Sequence, residues 1–145
     1  MKALSLTQPW ATAMAIGLKE WETRSWPTSF RGRMAIHAAK GFPGWAKEFA
    51  AEAHRYHSGF PREVSEFPLG AVVCVGEIVE CRRTNELRGD LSQTEQAWGD
   101  YADGRFAFKF NLERMLWPSI PAKGALGFWK MTDELGTAVT DQLVR

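Results

Sequence analysis

Gly70-Ala71-Val72-Val73-Cys74-Val75-Gly76-Glu77-Ile78-Val79-Glu80-Cys81 is the stretch on which the fold turns. Ala71, Val73 and Val75 alternate with Val72, Cys74 and Gly76, and both sets are apolar. A strand apolar on both faces belongs in the middle of a sheet, covered above and below. Four further segments read as strands around it: Ala3 to Thr7, Met34 to Ala39, Arg105 to Leu112 and Gly127 to Met131. In the third, Phe106, Phe108 and Phe110 share one face, with Ala107 and Lys109 on the other. Lys19 to Trp26 is extended and Pro27 ends it. Two helices stand out. The first is capped by Thr7, tolerates Pro9 in its first turn, and ends at Gly17. Trp10, Ala13, Met14 and Gly17 fall on one of its faces. The second spans Trp45 to His57, with Trp45, Phe49, Ala50 and Ala53 at core spacing.

Between these, Ser58 to Pro68 is a loop. Arg82 to Gly104 is polar and irregular, with a helical turn at Thr94 to Trp98. Pro118, Pro121 and Gly124 break the chain before the last strand, and Asp133 to Val144 is a short polar tail with helical character. Five to six strands with two main helices describe a small α+β β-barrel, one domain over residues 1–145. The chain has 145 residues, 45% hydrophobic and 24% charged, which suits one globular domain with a real core. The net charge of +1 means that any basic surface is local. Cys74 and Cys81, seven residues apart on one strand, lie about 23 Å apart and on opposite faces, which rules out a disulfide between them. Reduced thiols fit a cytoplasmic protein. No His/Cys set has metal-ligand spacing, no cofactor motif is present, and no apolar run reaches membrane-spanning length.

The first forty residues concentrate cations, carboxylates and tryptophans between apolar segments. Glu22 and Arg24 share one face of an extended segment, as do Glu20 and Glu22, while Thr23 faces away. The bland reading of Glu22 and Arg24 is a surface ion pair worth at most about 1 kcal/mol. The functional reading has Glu22 accepting from a base amine and Arg24 holding a phosphate. Trp10, Trp21 and Trp26 are stacking candidates or core, with Trp26 read as core or cleft wall. Gln8 and the first amides after Pro9 lie at a helix N-terminus, which attracts anions. Arg31, Arg33 and Lys40 form a local basic run around His37. Glu77 interrupts a buried strand, which is costly for a carboxylate unless it pairs or marks the end of the buried stretch.

Four segments together resemble the ASCH domain family, a branch of the PUA-like superfamily. They are Leu4-Ser5-Leu6-Thr7-Gln8-Pro9-Trp10-Ala11, Gly17 to Trp26, Phe30-Arg31-Gly32 before Ile36-His37-Ala38-Ala39-Lys40, and Gly70-Ala71-Val72-Val73 leading to Glu77. Gly127-Phe128-Trp129 is similar to that family's closing strand. The resemblance covers residues 3 to about 131 and leaves 132–145 as a C-terminal tail. It implies a PUA-like barrel with a cleft between the first helix and the barrel mouth, and an association with RNA or other nucleic acid. It places Lys19 at the cleft rim, pairs Glu77 with a basic cleft residue such as Lys19 or Arg24, and brings Tyr101, Asp103 and Arg105 near the cleft. The ligand-binding set is then Gln8, Trp10, Lys19, Glu22, Arg24, Ser25, Arg31, Lys40, Tyr101 and Arg105.

One related branch resembles N4-acetylcytidine amidohydrolases, which use a lysine, a threonine three residues later and a distal glutamate. Lys19 and Glu77 match by position, but Glu22 stands where the threonine would be. A one-residue shift to Thr23 points its hydroxyl to the opposite face. Lys19, Glu22 and Glu77 remain the catalytic set for the enzyme reading, as general acid–base groups without a metal. The leading expectation is a module that binds RNA, single-stranded nucleic acid or a nucleotide. The alternative is an enzyme on a modified nucleoside or on RNA.

Overall fold

The computed structural model describes residues 1–145. Six strands form one curled sheet: β1 (Lys2–Leu6), β2 (Trp21–Arg24), β3 (Gly32–Ala38), β4 (Ala71–Arg83), β5 (Phe106–Pro121) and β6 (Phe128–Lys130). Their order is β2-β5-β4-β3-β1-β6, so β4 is central, as its two apolar faces require. Only the β1–β3 pair is parallel. Five helices accompany the sheet: α1 (Trp10–Ala15), α2 (Gly44–Glu52), α3 (Thr84–Leu87), α4 (Gln93–Ala97) and α5 (Asp133–Leu143). This is an α+β half-barrel of the PUA-like kind.

The β4–β5 ladder slips register three times, between Val72 and Cys74, Val75 and Gly76, and Ile78 and Glu80. Each slip bends and twists the pair, which curls the sheet. It also breaks the strict alternation expected of β4. Val73 and Cys74, neighbours in sequence, both join the inner core with Ile36, Ile78, Phe108 and Phe110. Val72 and Val75 join a second cluster on the outer face with Leu116, Met131 and Val139. Residues of α5 supply that outer cover, so the polar tail is a packed amphipathic helix, capped by the Thr132 hydroxyl accepting from the Leu135 amide at 3.2 Å.

Three local expectations change. Strand β5 does not stop at Leu112 but continues through Pro118 to Pro121. The β2 ladder covers only Phe106 to Lys109, and the Phe110 amide adds one more bond to the Glu20 carbonyl at 2.8 Å. Past Phe110 no strand pairs with the outer side of β5, and a proline is tolerated on such a free edge. Thr7 does not cap α1 with its side chain. The fully buried Gln8 does so, its Oε1 accepting from the Thr12 amide and its Nε2 donating to the Pro68 carbonyl, both at 3.0 Å. Trp45 is not core. Ala46, Ala50 and Ala53 carry the buried face of the second helical segment, and the Trp45 indole is 65% exposed.

The curl brings the two ends of the sheet together without backbone pairing. Trp26 bridges the gap, packing on Phe108 of β5 and on Phe128 of β6 with ring centroids 5.2 Å away in both cases. Above it the Arg24 guanidinium reaches from β2 to the Ser5 carbonyl of β1 at 3.0 Å. The candidate site lies at this seam.

Candidate nucleotide cleft

Helix α1 ends at Ile16, and Gly17 turns the chain with a φ of +79°, a left-handed conformation open to glycine. The Gly17 amide donates to the Met14 carbonyl and the Lys19 amide to the Ala13 carbonyl. The turn therefore delivers the Lys19 side chain beneath the open edge of β2. A cleft of about 660 Å³ lies there, bounded by Ser5 to Thr7, Trp10, the residues of β2, and the Ala97 to Asp100 turn.

Lys19 is not at the rim but on the floor, 2% exposed. Its Nζ donates to the Trp21 carbonyl and lies 3.9 Å from Glu22 Oε1. Burial pushes its pKa down, opposed by the nearby Glu22 and Glu95 carboxylates. Glu22 also accepts from Arg24 Nε at 2.9 Å, so the two form a partly buried ion pair that shapes the wall. Arg105 donates from Nε to the Asp100 carbonyl at 3.1 Å and from a terminal nitrogen to the Thr23 carbonyl at 3.2 Å. Trp10 is half buried, stacked on Phe49 at 5.4 Å and tilted against Trp45 at 5.7 Å, and both indoles line the cleft.

The fold thus brings together Trp10, Lys19, Glu22, Arg24 and Arg105 and separates the other expected residues. Gln8 is used up in capping α1. The amides of Trp10, Ala11, Thr12 and Ala13 are bonded to Thr7, Thr7, Gln8 and Pro9, so that terminus offers no anion site. Ser25 is exposed outside the cleft. Arg31 is exposed too, donating to the Thr28 and Phe30 carbonyls. Lys40 lines a different cavity. Tyr101 is 7% exposed and packs with Trp21, Leu87 and Ala107 behind the cleft.

Glu77 is exposed, aligned with Arg33 of β3 and Asn111 of β5, and meets neither Lys19 nor Arg24. It lies beyond the doubly covered part of β4, where a carboxylate keeps its water. The expected Lys19–Glu77 pairing therefore does not form; the carboxylate within 4 Å of the ammonium is that of Glu22, and a second, Glu95, acts on it from farther off. Glu95 of α4, 7% exposed, approaches Lys19 from 76 residues away in sequence, as 95 − 19 gives, and accepts from the Glu20 amide at 2.6 Å. Burial pushes its pKa up. Its second oxygen, the Tyr101 hydroxyl and the Trp98 indole nitrogen are buried without a partner. Burial raises the Tyr101 pKa as well, reinforced by Glu95 and Glu22.

Glu95 is disguised in the sequence. Ser92 and Glu95 stand at capping-box spacing, and Ser92 Oγ does accept from the Glu95 amide at 3.1 Å. The carboxylate, however, is diverted from its own helix to the Glu20 amide. Thr23, expected to face away, lines the cleft at the strand edge, its hydroxyl accepting from the Asp100 amide at 3.3 Å.

A curled six-stranded sheet with helices packed on it is the α+β half-barrel of a PUA-like domain. The ASCH domain profile matches residues 4–118, and the chain belongs to the ASCH family. Over 134 residues it is 25% identical to human Activating signal cointegrator 1 and 26% identical to the mouse protein. Those alignments cover 91% of this chain and 22% of each relative, so the chain spans about a fifth of their length. The fold is shared with an ASCH protein of Zymomonas mobilis. A crystal structure of that protein superposes with a TM-score of 0.58 at 15% identity, covering 99% of this chain and 92% of the other. A point variant gives 0.60, also at 15%, covering 97% and 96%. No helix is long and apolar enough to cross a membrane.

Proposed function

We propose that this chain is a nucleic-acid-binding module that takes one nucleotide of a single-stranded RNA, or a free nucleotide, into the cleft at the seam. The observation that carries the reading is the exposed Trp45 indole beside half-buried Trp10, facing a rim that holds Arg24 and Arg105. An indole left in water offers a stacking face to any base, worth about 1–3 kcal/mol. Glu22 presents carboxylate oxygens suited to an exocyclic amine. The cleft volume of about 660 Å³ is that of a small-ligand site. The ASCH family's association with RNA points the same way. A reducing cytoplasmic setting fits the two free thiols, Cys74 and Cys81.

The test is titration of tryptophan fluorescence with ribonucleotides and short RNA. Trp45→Ala should weaken binding by about 1–3 kcal/mol, with affinity falling as salt rises. Affinity that is indifferent to both would sink the reading.

One observation favours a second reading, an enzyme on a modified nucleoside or on RNA. Lys19 is buried 3.9 Å from the Glu22 carboxylate, and burial pushes its pKa down against the pull of Glu22 and Glu95, which suits a general base. Under this reading Lys19, Glu22 and Glu95 do the work, in place of a set containing Glu77. Turnover of N4-acetylcytidine or cleavage of RNA, lost in Lys19→Met, is its signature. Nucleotide binding without turnover rejects it.

A further inference from the structure

The nucleotide cleft does not end at Ser5. That residue lines it on one side and a second cavity of about 760 Å³ on the other. The second cavity lies beside the β1–β3 pair, under the 122–127 segment that joins β5 to β6, and it holds Lys40 and Lys123. No carboxylate lines it, and neither ammonium has an ion-pair partner. The cleft differs in this respect. There Arg24 meets Glu22, Arg105 meets Asp100 and Lys19 lies near Glu22. A charge-balanced cleft suits a base edge, whereas unpaired cations suit phosphate.

The divider between the compartments is built firmly. Ser5 Oγ lies 2.9 Å from His37 Nδ1 and accepts from the Trp129 indole nitrogen at 3.0 Å. His37 Nε2 lies 2.7 Å from the Ala122 carbonyl. A carbonyl only accepts, so His37 donates from Nε2, and in the neutral imidazole Nδ1 is then the acceptor for the Ser5 hydroxyl. Gly124 packs onto this pair so closely that a Cβ there would come within 2.6 Å of Ser5 Oγ and His37 Cε1. The network ties β1, β3, β6 and the 122–127 segment together, so both compartments are preformed.

We propose that the chain binds single-stranded nucleic acid across both compartments, with one base in the cleft and the backbone phosphates of adjoining nucleotides on Lys40 and Lys123. This rests on the nucleotide-binding reading and deepens it: the ligand is an oligonucleotide of at least two linked units.

The experiment compares the four ribonucleoside 5′-monophosphates with the four homotetramers, using the unaltered chain and the Lys40→Ala/Lys123→Ala double variant. At least one tetramer binds about tenfold tighter than its monomer, because the second contact is intramolecular. The double variant keeps monomer affinity and loses that gain. Its log–log salt slope for the tetramer falls by about 1.4, or roughly 0.7 for each of two phosphates. Equal affinity for monomer and tetramer, or a tetramer gain that survives the double variant, overturns the two-compartment track and leaves nucleotide binding standing. Failure of every monomer and tetramer to bind overturns both.

Discussion

Lys19 is held where a lysine is expensive. Its backbone amide is locked to Ala13, its side chain is sealed under the cleft, and burial lowers its pKa. An unfolded lysine keeps its proton to about pH 10.4. The buried one sheds it earlier, so between the two values the unfolded chain binds more protons and stability rises with pH. Measured against Lys19→Met, which does not titrate, the unaltered chain should gain thermal stability as the pH rises toward about 10. Parallel melting profiles for the two proteins would show that the amine titrates normally. Glu22 and Arg24 were legible as partners because they sit two apart on one strand. Glu95 was not, because nothing local distinguishes a capping-box glutamate from one that reaches another element. Glu77 was misread for the converse reason: a carboxylate in an apolar run signals burial only if that part of the strand is covered.

Among the elements, the turn after α1 and the β4–β5 ladder make opposite demands on glycine. Gly17 is exposed and its added Cβ would meet only Leu112 Cδ2 at 3.9 Å, so its demand is conformational. Gly17→Ala should cost about 1–2 kcal/mol, the penalty for a side chain in the left-handed region. Gly76 has no unusual φ but lies where β4 presses on β5. A Cβ there would fall 2.4 Å from both the Asn111 carbonyl oxygen and the Phe110 ring. Since the backbone itself would have to move, Gly76→Ala should cost about 3 kcal/mol or more, in the range of overpacked cores. Urea denaturation of the two variants checks the order, and a milder Gly76→Ala contradicts it. The strands, α1 and its stop were readable because periodicity and a terminal glycine are local signals. The extent of β5 was not, because proline is permitted on a free edge, and which edge is free depends on where β2 pairs.

The barrel as a whole closes through side chains instead of a ladder. Trp26 joins β5 to β6 and Arg24 joins β2 to β1. Each aromatic contact of Trp26 is worth about 0.5–1.5 kcal/mol, so Trp26→Leu should lower stability by about 1–3 kcal/mol. Amide exchange should quicken at β2 and β6 together, although they lie at opposite ends of the sheet. Faster exchange confined to residues beside Trp26 would mean that the seam carries no cooperative load. Local patterning alone dictated the strands, the first helix and its stop, a doubly buried centre at β4 and the lysine-bearing turn, because each depends on residues a few positions apart. The tertiary structure alone decided that Glu95 and not Glu77 approaches Lys19, that Gln8 caps α1 and Tyr101 packs behind the cleft, and that Trp45 stays in water beside it. Those outcomes depend on how far the bulged sheet curls and on which distant segments meet at its seam, and no short-range pattern encodes that.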